Sequence, residues 1–321
     1  MASTKPTVVV LDPYHPDAIA LLKATPTIDV ILPDDPRRAQ WPALADGVIL
    51  RSDSRLTADD LAKAQKLRVV VKQGVGVDNI DLPAAKAAGI AVHNTPALNS
   101  EAVAECTLAL ALTLARRISE YDRRVRRGET VVRSKMLGLS LFQKTVGIVG
   151  MGNIGRLVAR KWIGACDARV VAYDPVVPAD AWADIPHTRV DSLDALLAAA
   201  DVVTLHVPLL ASTRGMIGAR ELAAMKDRAI LVNAARGSIV DEAALLAELK
   251  KGRLWGAVLD ALEVEPPTLA AHADLLALEN VILTPHIGAS TLENQSNSGL
   301  AVVKTLLAVL EGQPDVPGKL V

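Results

Sequence analysis

Three glycines and an aspartate form the clearest chemical pattern in the chain. Gly150, Gly152 and Gly155 stand in GIVGMGNIGR at the end of an apolar run, and Asp174 follows 19 residues after the third glycine. The pattern predicts a strand over Thr145–Val149 and a helix over Asn153–Cys166. A G-x-G-x-x-G turn in that setting, with an acidic residue about 20 positions on, is the sequence form of a dinucleotide site. Gly150 permits the tight turn, Gly152 lets the backbone approach a pyrophosphate, and Gly155 lets helix and strand pack closely. The pyrophosphate would rest on the N–H groups that open the helix. The Asp174 carboxylate suits ribose hydroxyls and repels a 2′-phosphate, and no Arg or Lys follows it before Arg189. NAD is therefore expected over NADP. FAD fits less well, because its use of this fingerprint typically sits at the chain start.

A nicotinamide held there needs a substrate anchor and a proton carrier beside it, at the carboxyl ends of strands. Those positions offer His206, Arg236, Asp260 and His286, with Glu265 just beyond. Arg236, in ILVNAARGSIVDE, can hold a carboxylate through two parallel hydrogen bonds. A surface ion pair is its plainer use. His286, in VILTPHIGAST, suits proton transfer near neutral pH. His206, in VTLHVP, also ends a strand and competes with it. His93 ends a strand of an earlier set, and His15, His187 and His272 fall in loop-like or helical stretches. Glu265, in LDALEVEPP, is a carboxylate of the kind that pairs with a histidine and favours its protonated form. Glu263 and Asp260 fit the same spacing, and the residues alone leave the three open.

The elements that must position these groups read as alternating strands and helices. Early strands are expected at Thr7–Leu11, Ile28–Leu32, Gly47–Leu50, Arg68–Val71 and Ile90–His93, with helices at Ala58–Lys66 and Leu82–Ala88. A second set follows at Thr145–Val149, Arg169–Tyr173, Asp201–His206, Ala229–Asn233, Gly256–Asp260 and Val281–Thr284. Its helices are expected at Asn153–Cys166, Ser192–Ala199, Ala219–Met225 and Glu242–Lys251. Continuous apolar strands alternating with helices imply parallel sheets covered on both faces. The expectation is an α/β fold of two doubly wound parallel-sheet domains, a Rossmann cofactor domain inserted into a flavodoxin-like substrate domain. A helical stretch over Ser100–Arg117, with Ser100 as its cap, and a long helix from about Thr291 to Leu310 would carry the chain between them. The division expected is residues 1–99 plus 289–321 for the substrate domain and 100–288 for the cofactor domain. Arg123–Lys144 reads as a basic, irregular stretch, either a solvated loop or a dimer arm.

Composition narrows the class. The 321 residues are 50% hydrophobic, 22% charged and 2% aromatic, with a formal net charge of −1. So few aromatics argue against a stacking platform for single-stranded nucleic acid, and the charge shows no basic footprint for its backbone. Cys106 and Cys166 form neither a metal-ligand spacing nor a disulfide framework, so no metal is expected. No run approaches the roughly 18 apolar residues of a membrane span, and the first residues show no apolar signal segment. A reduced, cytoplasmic enzyme is expected.

Taken together, GIVGMGNIGR, AYDP, LHVPLLASTRGMIG, VNAARGSIVDE, VLDALEVEPP and TPHIGAST resemble the D-isomer-specific 2-hydroxyacid dehydrogenases, in that family's order and spacing. Leu67–Asp81 and His93–Glu105 extend the likeness over nearly the whole chain. The resemblance implies that Arg236 binds the substrate carboxylate and carbonyl oxygen. It implies that His286 is the general acid in reduction and the base in oxidation, with Glu265 orienting it and raising its pKa. Val75 and Gly76 would offer backbone N–H groups to the substrate carboxylate. Asn153 and Ile154 would line the pyrophosphate. Val207, Ala234, Asp260 and Gly288 would line the nicotinamide half, and His206 becomes a cofactor-lining residue.

Within the family the sequence is most similar to the 3-phosphoglycerate dehydrogenase branch. It departs from that branch in two places, Leu262 where an aromatic is usual and Lys72 as the basic residue before the GVG loop. No regulatory domain is expected after Val321. Arg51 and Lys72, with Arg133 or Lys135, are candidates for a substrate phosphate, and solvated surface charges are their plainer reading. A glyoxylate or hydroxypyruvate reductase is the nearest alternative. Glu265 argues against the formate-type branch, which carries Gln there, while a phosphite-oxidising enzyme with a lysine near Lys72 stays open. An NAD-sensing corepressor of the same ancestry would keep the same residues. A homodimer through the cofactor domain is expected, with residues 117–144 as the contact.

Overall fold

The computed structural model describes residues 5–321. They divide into two compact units, one comprising the chain up to Asn99 together with Thr291–Val321, the other Ser100–Ser290. The first unit holds a parallel sheet of β1 (Thr7–Val10), β2 (Asp29–Ile31), β3 (Gly47–Leu50), β4 (Val69–Lys72) and β5 (Ala91–Asn94). The order is β2-β1-β3-β4-β5, that of a flavodoxin-like doubly wound sheet. β3 and β4 are buried at every position, which is why they read as unbroken apolar runs. One face packs Val9, Leu50, Leu56, Leu61 and Val70 together. The other is covered by Leu22 and by Val302, Val303 and Leu306 of the helix Leu292–Leu310. Thr291 caps that helix by accepting from the Asn294 N–H.

The second unit holds β6 (Thr145–Val149), β7 (Arg169–Tyr173), β8 (Thr188–Arg189), β9 (Val202–Leu205), β10 (Ile230–Asn233), β11 (Gly256–Leu259) and β12 (Val281–Leu283). All run parallel, in the order β12-β11-β10-β9-β6-β7-β8. From β8 to β11 this is the Rossmann order, with β12 added at one edge. β8 is additional to the six strands expected, because two residues at a sheet edge leave no apolar run. Trp162, Val158 and Ala159 of the helix Asn153–Cys166, with Ala104 and Ala111 of the helix Ser100–Ala115, fill one face of the sheet. Leu196, Leu222, Leu245 and Leu249 fill the other.

Two local expectations need correction. Ser100 is the first residue inside its helix, not the cap, and its buried hydroxyl has no partner among the described residues. The stretch from Arg123 is not irregular at its start: Ile118–Arg126 is a helix. Arg117, in the left-handed region at φ 55°, breaks the chain between the two helices. The buried Glu120 then accepts from Arg117 at 2.7 Å and Arg124 at 3.1 Å, while Asp122 pairs with Arg126 at 2.7 Å. Arginines that look solvated in the sequence thus hold a helix together at i,i+3 and i,i+4.

The glycine turn sets how closely the helix Asn153–Cys166 can lie against β6. A Cβ on Gly155 would collide with the carbonyl oxygen of Gly150, which is backbone and cannot swing aside. Gly164 lies on the open side of the same helix, with nothing within 4 Å of an added Cβ. Gly155→Ala should therefore lower stability by about 2 kcal/mol or more. Gly164→Ala should raise it by roughly 0.5–1 kcal/mol, since alanine has the better helix propensity. Urea denaturation of the two variants checks the opposite signs.

Candidate active site

Asp174, His206, Asp260 and His286 follow the carboxyl ends of β7, β9, β11 and β12 of the second unit. Gly150 adopts φ 99°, and its N–H donates to the Tyr173 carbonyl at 2.9 Å. A side chain there would strike the His206 carbonyl, so only glycine fits. Gly152 is the N-cap of the helix, no described side chain caps it, and a Cβ on it would project into open space. The helix N-terminus is thus bare where a pyrophosphate would rest, and the residues present fit a dinucleotide.

Asp174, just past β7, accepts from the Met151 N–H at 2.9 Å through one oxygen and from the Val176 N–H at 2.9 Å through the other. It ties the glycine turn to the end of β7. Arg189, the first basic residue after it in sequence, comes close in space. Its guanidinium donates to the carbonyls of Asp174 at 2.7 Å, Val177 at 2.8 Å and Pro178 at 2.6 Å. Those bonds commit it to the main chain, in keeping with the preference for NAD over NADP.

The structure separates the two competing histidines by environment. His206 has Nε2 at 2.8 Å from Thr204 Oγ1, and its buried Nδ1 has no partner among the described residues. Burial pushes its imidazole down to about 3. Held neutral in this way, it has no proton to give near neutral pH. His286 is exposed, in the left-handed region at φ 56°. Its Nδ1 lies 3.0 Å from Glu265 Oε2 and 3.2 Å from Oε1.

Glu265 is the carboxylate on His286; the sequence left Glu263 and Asp260 open. Glu265 also accepts the Leu262 N–H at 3.0 Å. Burial acts to raise its pKa, but the hydrogen bond and charge of His286 oppose it. The Leu262 N–H and the Arg236 charge act in the same direction as His286, and the net shift is downward. Asp260 does something else. It is 1% exposed and accepts from Thr284 Oγ1 at 2.6 Å, the Ile287 N–H at 2.8 Å and the Gly288 N–H at 2.8 Å. It therefore clamps the segment that carries His286. Cys106 stands within its field: burial first, then Asp260 and Glu105, push that thiol up to about 11, so it stays protonated.

Arg236 leaves β10 through Asn233, a residue the sequence reading passed over. Asn233 is fully buried, donates to the Arg236 carbonyl at 2.8 Å and accepts the Ala235 N–H at 3.1 Å. Its only sequence signal is a polar side chain closing the apolar run ILVN. The Arg236 guanidinium donates to the Ala235 carbonyl at 2.7 Å and lies within the field of Glu265. Ala234 is buried between them in sequence, and Val207 packs beside Gly150.

The expected substrate residues of the first unit cluster at the carboxyl ends of β3 and β4, whose register pairs Leu50 with Lys72. Lys72 is 4% exposed, and its ammonium donates to Ser52 Oγ at 3.3 Å and the Gln73 carbonyl at 2.9 Å. Arg51 sits one residue past β3, its guanidinium 3.3 Å from the Pro13 carbonyl. The next loop turns at Gly74, φ 103°, whose N–H donates to Thr95 Oγ1 at 2.8 Å. Asn94 Nδ2 donates to the Val75 carbonyl at 2.8 Å. The Val75 and Gly76 N–H groups have no acceptor among the described residues. Arg133 and Lys135 belong to the second unit, on a short exposed turn.

Residues 108–288 match the family model described as D-isomer specific 2-hydroxyacid dehydrogenase, NAD binding domain. The chain is 40% identical over 307 residues to a D-3-phosphoglycerate dehydrogenase of Methanocaldococcus jannaschii, covering 95% of this chain and 58% of that protein. It is 41% identical over 265 residues to a hydroxypyruvate reductase of Thermotoga maritima, covering 83% and 85% of the two chains. Among solved structures, the D-lactate dehydrogenase from Aquifex aeolicus complexed with NAD and lactic acid superposes with a TM-score of 0.85 at 29% identity, covering 97% of each chain. The chain thus spans about half the length of the phosphoglycerate dehydrogenases it matches. On the strand order, the glycine turn and these matches, it belongs to the D-isomer-specific 2-hydroxyacid dehydrogenase family.

Proposed function

We propose that the protein is an NAD-dependent 2-hydroxyacid dehydrogenase that interconverts a small D-2-hydroxy acid and its 2-keto acid. The observation that carries this reading is the Glu265–His286 pair, with Arg236 in its field, at the same sheet ends as the glycine turn. NAD, when bound, supplies the hydride acceptor for oxidation and, reduced, the hydride donor for reduction. Gly150, Gly152 and Gly155 with Asn153 and Ile154 would hold its pyrophosphate, and Asp174 its adenosine ribose. His206, Val207, Ala234, Asp260 and Gly288 would line its nicotinamide half.

The chain's own residues do the rest. Arg236 binds the substrate carboxylate and polarises the carbonyl oxygen. His286 delivers a proton to that oxygen in reduction and takes it back in oxidation. Glu265 holds Nδ1, which leaves Nε2 as the working nitrogen. In the first unit, the Val75 and Gly76 N–H groups suit a carboxylate. Lys72 and Arg51 suit a polar or anionic substituent on the third carbon, which favours three-carbon acids such as phosphohydroxypyruvate or hydroxypyruvate.

The exposed apolar side chains Ile118, Val125, Val132, Leu137 and Phe142 support a homodimer formed through this stretch of the cofactor domain. Two free cysteines support a reducing, cytoplasmic setting. No helix among the described residues is long and apolar enough to cross a membrane.

NADH oxidation screened across 2-keto acids, with phosphohydroxypyruvate, hydroxypyruvate and glyoxylate included and NADPH alongside, tests the reading. Turnover should be faster with NADH. His286→Ala and Arg236→Ala should each lower kcat/KM by about 100-fold or more, and Arg236→Lys should not restore it, because the two-pronged geometry is lost. NADH binding without turnover of any 2-keto acid would overturn the proposal in favour of a cofactor sensor.

The Glu265 pair also fixes a sign for stability against pH. Its folded value lies below its unfolded one, so the ionised form stabilises the fold above the ordinary carboxylate range. That contribution is lost as pH falls through the lowered folded value. Glu265→Gln should therefore lose less stability than the wild type as pH falls through and below the ordinary carboxylate range, as read by urea denaturation at each pH.

A further inference from the structure

The loop carrying Glu265 is gripped from behind by the same segment that carries Arg236. Gly237 abuts the Leu262 carbonyl and the Glu263 nitrogen so closely that no side chain could stand there. Asn233 Nδ2 reaches the Ala261 carbonyl at 3.4 Å as well as the Arg236 carbonyl at 2.8 Å. Glu242 completes the grip. It is the first residue of the helix Glu242–Lys250, which Asp241 caps, and its Oε1 accepts the Glu263 N–H at 2.6 Å. Its other oxygen lies 3.9 Å from Nε2 of His272, a buried histidine that the proposed reaction does not use.

We propose that Glu242 is a positioning residue, whose carboxylate locks the Glu265 loop to the Arg236 loop and so sets the spacing of the acid–base pair and the substrate-binding guanidinium. This rests on the roles proposed above for Arg236, Glu265 and His286. The groups facing Glu242 are Glu263 and Glu265 from that loop and His272 from the helix Leu269–Leu276. Burial, together with those two like charges, holds the Glu242 carboxyl above its usual range against the opposing pull of the Glu263 N–H and His272. A carboxylate kept at that disadvantage, and bonded at 2.6 Å to a main-chain N–H two residues before Glu265, is placed to hold backbone geometry.

Three variants separate positioning from bulk stability. E242Q keeps an acceptor oxygen of the same reach, E242A removes it, and E242D withdraws it by one methylene. Hydrogen exchange in the absence of substrate reads the loop directly. The amides of residues 261–265 should exchange at least tenfold faster in E242A and nearly as in the wild type in E242Q, the factor expected for loss of one charge-assisted hydrogen bond. In the NADH-linked assay, kcat should fall at least tenfold in E242A with KM changed less than threefold, and E242Q should recover most of it. If E242A does not hold the fold, E242D carries the same decision, with faster exchange and lower kcat than E242Q. Unchanged exchange at 261–265 in whichever of E242A or E242D folds would overturn the proposal, as would an E242Q no better than E242A. Exchange is read without turnover, so a protein inactive on every 2-keto acid would sink the proposed activity and still leave Glu242 decided.

Discussion

The segment that carries His286 depends on one buried side chain, the carboxylate of Asp260. A charge with 1% exposure is costly unless hydrogen bonds replace its water, and here three do, from Thr284, Ile287 and Gly288. Those donors flank His286 in sequence on both sides. They explain how His286 is kept at φ 56°, a region that a residue with a Cβ enters at a cost and keeps only when its surroundings over-determine it. The strain and the clamp go together: the carboxylate binds the residues on either side of the left-handed turn, beside the His286 N–H bond to the Thr284 carbonyl at 2.9 Å and the Glu265 bond to the imidazole.

The same sheet edge shows how environment divides labour between like side chains. His206 and His286 both follow strands of one sheet. One is half-buried with its Nδ1 enclosed, pushed down to about 3 and bonded to a threonine, while the other is exposed and bonded to a carboxylate. Burial thus keeps the first neutral near neutral pH. Asp260 and Glu265 divide in a parallel way. Asp260 spends its oxygens on a hydroxyl and two main-chain groups, whereas Glu265 spends its own chiefly on an imidazole. Neither distinction follows from residue type, since both pairs are chemically alike in the sequence.

That difference marks where the sequence stops being legible. The glycine turn reads directly because each glycine answers a local steric demand: a positive φ at Gly150, and a carbonyl against the Cβ position of Gly155. β3 and β6 match the expected bounds at both ends because near-continuous burial on two faces writes an unbroken apolar run. β8 escapes because two edge residues write nothing. Ser100 misleads because a cap residue type at a helix start serves equally well one position inside it. The charged stretch after Arg117 hides a helix because its stabilising partner, Glu120, is buried by arginines that look like surface charges. The roles of Asn233 and Glu242 are hidden for a deeper reason: their partners lie across loops, and no periodicity records a contact between loops.

The loops that matter are nevertheless placed by something simple, the register of parallel strands. Asn233 of β10 stands level with Leu259 of β11, and Leu259 with Leu283 of β12. The chain therefore leaves all three strands at one height, so the segments bearing Arg236, Glu265 and His286 start side by side. A slip of one residue in either pairing would turn every side chain of a strand to the opposite face, which a sheet buried on both faces does not tolerate. The apolar core thus fixes the level at which the polar loops emerge. Short-range contacts then need only set angles: Asn233 on Arg236, Gly237 against Leu262, and Asp260 on the turn at His286. Substitutions in the loops can change what is bound or how fast it reacts while leaving that frame intact, whereas a change in the strands would misplace all three groups together.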